Sequence, residues 1–204
     1  AADEYPAMPS FTNAKSMVLT QEKLKGMLRK TSFAVSSDET RYVLNGIFFS
    51  LKDSKATLVA TDGRRLALTD EDAEIVPTSQ ADFIVPTKAI NELFRLLTSG
   101  PVELRYTDNL VAFRTTPAGD GVGVLIISKL VDGSYPNYRQ VIPQAPQERI
   151  TLVREELLQA LRRAEIMTSD KSNSVKLAFG RNQLVITGNT PEVGEARETF
   201  ATAR

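Results

Sequence analysis

Three times along 204 residues a short β-rich run leads into a helix whose apolar residues recur at i, i+3, i+4 and i+7. The first stripe is Leu24, Met27, Leu28 and Thr31, behind SMVLT (16–20), whose Thr20 is placed to cap the helix. The second is Ile90, Leu93, Phe94 and Leu97, behind ADFIVP, with Pro86 and Thr87 opening the helix and Gly100 just past its end. The third is Leu157, Ala160, Leu161 and Ala164, behind ITLV. A helix with one apolar stripe must bury it on another element, and strands are plentiful here. RYVLNGIFFSLKDSKATLVATDGRRLALTD holds two or three β-rich runs, broken by Asn45-Gly46, by the Lys52–Lys55 turn and by Asp62-Gly63. PVELRYTDN, LVAFRTTP and GVLIISKLV alternate as an antiparallel meander, and the class is α+β.

Aligning Leu24 with Leu157 also matches Leu28 with Leu161 and Phe33 with Ile166, a single offset of 133 residues that indicates a duplicated β-α-β-β unit. VIPQAPQER, with two prolines and no periodicity, reads as a linker ending near residue 148. One domain is therefore expected over 13–148 and a second, incomplete copy over 149–204, stopping before its second helix. The chain opens on AADEYPAMPSF and closes on ETFATAR in a strand-like run, so both ends read as cut.

Composition narrows the chemistry. With 25 basic and 25 acidic residues the net charge is zero, so any polyanion must be met by a local patch. The chain has no His, Cys or Trp, which removes the commonest general base, zinc ligand and disulfide chemistry. No apolar run approaches the roughly 18 to 20 residues that span a bilayer, and the chain reads as soluble and cytoplasmic. A magnesium phosphoryl-transfer site built on Glu39, Asp62 and Asp132 can be imagined, yet no glycine-rich phosphate loop with its Lys accompanies them. No metal or cofactor is expected.

Five positions beyond the first apolar anchor of each helix stands an arginine: Arg29, Arg95 and Arg162. At about 100° per residue each points roughly 140° from its anchor, away from the core. Lys25 and Lys88 share those outward sides, as do the acidic Glu22, Glu92 and Glu155. Ordinary surface usage produces such patterns, but a row of helices turned this way also suits phosphates, with salt-sensitive and sequence-independent contact. Taken singly, other features are equally ordinary. Asp62-Gly63 is a tight turn, Leu44 and Leu66 are core candidates, and Arg41 and Tyr42 fit a half-exposed strand.

In this order and spacing, RYVLNGIFF, LVATDGRRLAL, FIVPTKAINEL and SKLVDGSYPNYRQVIP resemble the central domain of the bacterial DNA polymerase III beta subunit, the sliding-clamp family. The resemblance extends over nearly the whole chain, with DEYPAMP like the tail of the first domain and 149–204 like the first half of the third. It implies a DNA-clamp fold and a non-catalytic function. Two three-domain protomers would join head to tail as a homodimeric ring around duplex DNA, tethering the replicative polymerase and docking the clamp loader and repair proteins.

The resemblance also implies a pocket for short Leu/Phe-rich peptides. Its walls here would be Leu44 from RYVLNG, Thr61, Gly63, Arg64, Arg65 and Leu66 from ATDGRRL, and Pro136, Gln140 and Val141 from YPNYRQV. Thr61 and Arg65 would fix the peptide's polar groups over an apolar floor. The family often has His where Arg64 stands and Arg where Gln140 stands, which implies altered partner preference, and its C-terminal Met and Pro residues complete the pocket. For DNA it points to Arg41, Tyr42 and Lys88, with Lys25, Arg29 and Arg95 as further inner-face candidates and Val43 where a second aromatic is common.

Overall fold

The computed structural model describes residues 8–75, 77–116, 121–144, 149–168, 174–190 and 194–201. The chain forms two compact units, 1–141 and 142–204. The linker end expected near residue 148 lies outside the described residues.

In the first unit Thr20 does cap the first helix, its hydroxyl accepting the Lys23 N–H at 3.3 Å. The elements run β1 (Lys15–Thr20), α1 (Gln21–Thr31), β2 (Gly46–Lys52), β3 (Lys55–Thr61), β4 (Leu66–Asp72), β5 (Ala81–Pro86), α2 (Thr87–Leu96), β6 (Pro101–Tyr106), β7 (Leu110–Thr115) and β8 (Leu125–Lys129). They make two halves of the same order, β-α-β-β-β, and Leu24, Met27 and Arg29 recur 66 residues on as Ile90, Leu93 and Arg95. The halves exchange their first strands. β1 joins the second half's sheet by pairing β6 from Lys15↔Tyr106 to Thr20↔Pro101, and β5 joins the first half's sheet by pairing β2 from Gly46↔Pro86 to Leu51↔Ala81. Two four-stranded antiparallel sheets result, ordered β1-β6-β7-β8 and β4-β3-β2-β5.

The two sheets and both helices share one core. Leu24, Met27 and Leu28 of α1 and Ile90 and Leu93 of α2 are buried among Phe49, Phe83, Leu104 and Phe113. Burial of each large side chain contributes about 1.5–3 kcal/mol. Phe94, expected on the same stripe, is only half-buried, because it turns to the α1 side and lies under the Lys25 ammonium. Gly46 is required where β2 meets β5, since a Cβ there would stand 2.4 Å from the Val85 carbonyl oxygen.

RYVL, expected to begin a β-rich run, is instead part of a 3-10 segment, Glu39–Leu44, kinked at Arg41. Asp38 caps it, accepting from the Thr40 N–H at 3.0 Å and the Thr40 hydroxyl at 2.6 Å, while the Ser36 N–H donates to the Leu44 carbonyl at 3.1 Å. Local side-chain caps here override the strand preference of Tyr and Val.

In the second unit α3 (Arg154–Glu165) precedes a three-stranded antiparallel sheet of β9 (Lys176–Gly180), β10 (Gln183–Thr190) and β11 (Gly194–Ala201), with β10 central. Ala160 and Ala164 are buried with Leu184 and Ile186, and Leu157 and Leu161 pack partly buried against them. Of ITLV, only Thr151 has a β-bridge. Arg162 is exposed, and its neighbour Arg163 makes a two-pronged contact with Glu198 at 2.7 and 2.9 Å.

Gln21, 1% exposed, joins the halves of the first unit. Its Nε2 donates to the Ser99 carbonyl at 2.7 Å and more weakly to those of Pro101 and Thr116, both at 3.3 Å. Its Oε1 accepts the Thr98 N–H at 2.9 Å. Gln21→Leu keeps the volume and orphans these backbone groups, so it should lower the unfolding free energy of the first unit by about 1–3 kcal/mol. Urea denaturation of this chain, followed by circular dichroism, measures the shift, and an unmoved midpoint contradicts the assignment.

Candidate functional site

The connection between β3 and β4, Asp62 to Arg65, is closed by its own side chains. The Thr61 hydroxyl donates to the Arg65 carbonyl at 2.7 Å and accepts the Gly63 N–H at 3.1 Å. One Asp62 oxygen accepts the N–H groups of Arg64 and Arg65 at 2.9 and 3.0 Å, and the other accepts Arg65 Nε at 3.0 Å. Gly63 sits at φ +85°, a conformation that favours glycine. Thr61 and Arg65, expected to fix a peptide's polar groups, are both already engaged within the first unit. The Thr61 proton is committed to the turn, and Arg65 is held by Asp62 with its guanidinium carbon 5.8 Å from the centre of the Phe33 ring.

Two other segments reach this turn. Arg41 Nη1 donates to the Asp62 carbonyl at 3.2 Å, while its Nε donates to Asp38 at 3.1 Å. Behind it, Tyr135 stacks on Phe48 of β2 with centroids 4.9 Å apart, and Tyr138 tilts onto the same ring at 6.0 Å. Among the described residues the buried Tyr135 oxygen has no well-formed hydrogen bond. Burial pushes its phenol up to about 12, against a smaller opposite pull from the Thr61 backbone.

Among the expected pocket walls, Leu44 is buried, Thr61 and Leu66 are half-buried, and Gly63, Arg64, Arg65 and Pro136 are exposed. The Pro136 carbonyl accepts the Tyr138 N–H at 2.7 Å, which places Pro136 at the end of the aromatic stack. Gln140 and Val141 are exposed at the end of the first unit, and among the described residues no side-chain hydrogen bond or ring contact joins them to the turn. Phe33, Tyr135 and Tyr138 were missed as site residues. Tyr135 and Tyr138 lie inside the YPNYRQV motif, which was the available signal.

The basic candidates divide. Arg29 and Lys88 are exposed, and Arg95 is exposed with a loose 3.4 Å contact to Glu92. Tyr42 is 58% exposed beside the Asp132–Gly133 turn. Lys25, expected to point outward, instead reaches α2: its Nζ donates to the Leu97 carbonyl at 2.6 Å and stands 5.5 Å from the Phe94 ring centre. A carbonyl at a helix C-terminus attracts a cation, and that attraction draws the side chain across the helix pair.

Asp62, imagined as a magnesium ligand, already has both oxygens in the turn. The N–H groups of Arg64 and then Arg65 hold its carboxyl down to about 2. A depressed folded-state value means that the turn's contribution is complete above the ordinary carboxylate range and fades as pH falls toward 2. Carboxyl-detected NMR titration should find Asp62 ionised and the Arg64 and Arg65 amide shifts unchanged at pH 4. Titration near 4 would contradict the described contacts.

The family model for the central domain of the DNA polymerase III beta subunit matches residues 18–137, and the model for its C-terminal domain matches 139–204. Beta sliding clamps of Salmonella typhimurium and Chlamydia muridarum are 36% and 34% identical, over 97% and 98% of this chain but 52% and 53% of their own lengths. The crystal structure of the DNA polymerase III subunit beta from Pseudomonas aeruginosa superposes with a TM-score of 0.90 at 32% identity, covering 99% of this chain and 54% of that one. A second, of a sliding clamp from the same organism bound to griselimycin, gives 0.88 at 32% identity over 98% and 53%. The chain spans about half the length of the relatives it matches. With both models matched in sequence and the α+β clamp architecture shared, this chain belongs to the DNA polymerase III beta subunit family.

Proposed function

We propose that the protein containing this chain is a sliding-clamp processivity factor. It encircles duplex DNA as a head-to-tail homodimer, tethers the replicative polymerase, and docks clamp loader and repair proteins on short Leu/Phe-rich peptides. It works in the cytoplasm and does no chemistry of its own; the closed ring holds DNA by topology. Residues 13–148 act as the central domain, 149–204 as the first part of the third, and 1–12 as the tail of the first.

One observation carries this reading: α1 and α2 bury their apolar stripes in a common core while leaving Arg29, Lys88 and Arg95 exposed. Cations of this kind meet phosphates without reading bases, which suits a ring that must slide. Arg41 and Tyr42, exposed in the 3-10 segment, are assigned to the same DNA contact, and Lys25 supports it by joining the helices. Peptide docking is assigned to the Thr61–Leu66 turn with Leu44, Pro136, Gln140 and Val141. Gly63 lets a peptide backbone approach, half-buried Leu66 offers apolar surface, and the internal hydrogen bonds narrow the shapes open to the turn before binding. The griselimycin complex of the Pseudomonas aeruginosa clamp supports a ligand-binding surface in this family.

Leu66→Glu in the full-length protein should reduce affinity for a Leu/Phe-rich peptide at least tenfold without changing the circular dichroism spectrum. Calorimetry checks it, and retained affinity would remove the turn from the pocket. Reversing Arg29, Lys88 and Arg95 together to Glu should weaken DNA association at low salt and flatten its dependence on salt concentration, with roughly one unit of slope lost per phosphate contact removed. An unchanged slope in a filter-binding salt series would mean that these residues do not face DNA.

A further inference from the structure

Arg41 belongs to both parts of the proposed site. It stands in the 3-10 segment assigned to DNA, yet its Nη1 donates to the Asp62 carbonyl in the turn assigned to peptide. The fit is close, since a Cβ on Gly63 would come within 2.9 Å of that nitrogen. Its Nε is anchored on Asp38, which in turn holds both the N–H and the hydroxyl of Thr40. The guanidinium is thus pinned between two segments, one on each side.

Part of it remains available. The Arg41 side chain is 52% exposed, and Nη2 makes no hydrogen bond among the described residues. A guanidinium presents five N–H groups in one plane, so a phosphate oxygen can take the Nη2 edge while Nε and Nη1 keep their partners.

We propose that Arg41 couples the two binding events: a DNA phosphate on its free edge holds the guanidinium against the Asp62 carbonyl and stiffens the Thr61–Leu66 turn, so that DNA raises the affinity for a partner peptide. This rests on the DNA-face and pocket assignments above. The effect is reciprocal, because a ligand that raises another's affinity is itself bound more tightly by the same factor. With one exposed side chain as the link, the factor falls at the low end of such couplings, about fivefold. A free clamp would then bind its partners less well than one on DNA.

The test uses the full-length clamp, a fluorescein-labelled Leu/Phe-rich peptide, and a short duplex at low salt. Anisotropy titrations should show the peptide Kd falling about fivefold when duplex is saturating, and the duplex Kd falling by the same factor when peptide is saturating. In Arg41→Gln the ratio should collapse to one, and likewise in Arg41→Lys, which keeps the charge but not the planar fork. Lys88→Gln, measured at saturating duplex, should keep the wild-type ratio, which separates coupling from loss of DNA affinity. A wild-type ratio of one, a weakening of peptide binding by duplex, or a full ratio in Arg41→Gln would overturn the proposal. Peptide binding insensitive to Leu66→Glu would instead remove the pocket assignment, and the coupling with it.

Discussion

A single buried carboxamide, that of Gln21, ties together the two halves of the first unit where their exchanged strands and common core leave backbone groups unpaired. Strand exchange brings the start of α1 against the chain leaving α2, where the Thr98 N–H and the Ser99 carbonyl would otherwise lack partners. Buried backbone groups must be paired, and at this place no strand or helix can pair them. Gln21 supplies both a donor and an acceptor from one side chain. Lys25, one turn on, adds a second tie by reaching the Leu97 carbonyl. These two residues set the spacing of α1 and α2, and therefore of Arg29, Lys88 and Arg95 on the outer side.

The same economy of polar partners shapes the β3–β4 connection. Asp62 and Thr61 between them accept three backbone N–H groups and satisfy one carbonyl, and the Asp62 carbonyl is left to Arg41. In the proposed pocket, what remains for an incoming ligand is the exposed backbone about Gly63 and half-buried Leu66. A surface already ordered loses less entropy when it is bound. Arg41 then ties the turn to the 3-10 segment, and Tyr135, stacked on Phe48, stands near the Thr61 backbone.

Much of this was legible in the chain. The helical stripes appear where the 3.6-residue period placed them, and Thr20 caps as its position suggested. Asp62-Gly63 is a turn, as its residue types require. RYVL was misread because Tyr and Val favour strands in general, whereas Asp38 and Ser36 pair with this backbone in particular; the SSDET run ahead of it held the clue. Lys25 was placed outward by helical geometry, which takes no account of a carbonyl offered by a second helix. Gln21 gave no signal at all, since a polar residue at the start of a helix is ordinarily exposed.

The sequence by itself determined which segments become α-helices, where the tight turns fall, and, through four ordered motifs, the family. Periodicity and turn chemistry are local, so they survive without knowledge of the fold. Only the tertiary structure decided that β1 and β5 trade sheets, that Lys25 turns inward, and that Arg41 meets Asp62. Those contacts join residues 21 to 91 positions apart, and each depends on a partner that no local pattern names.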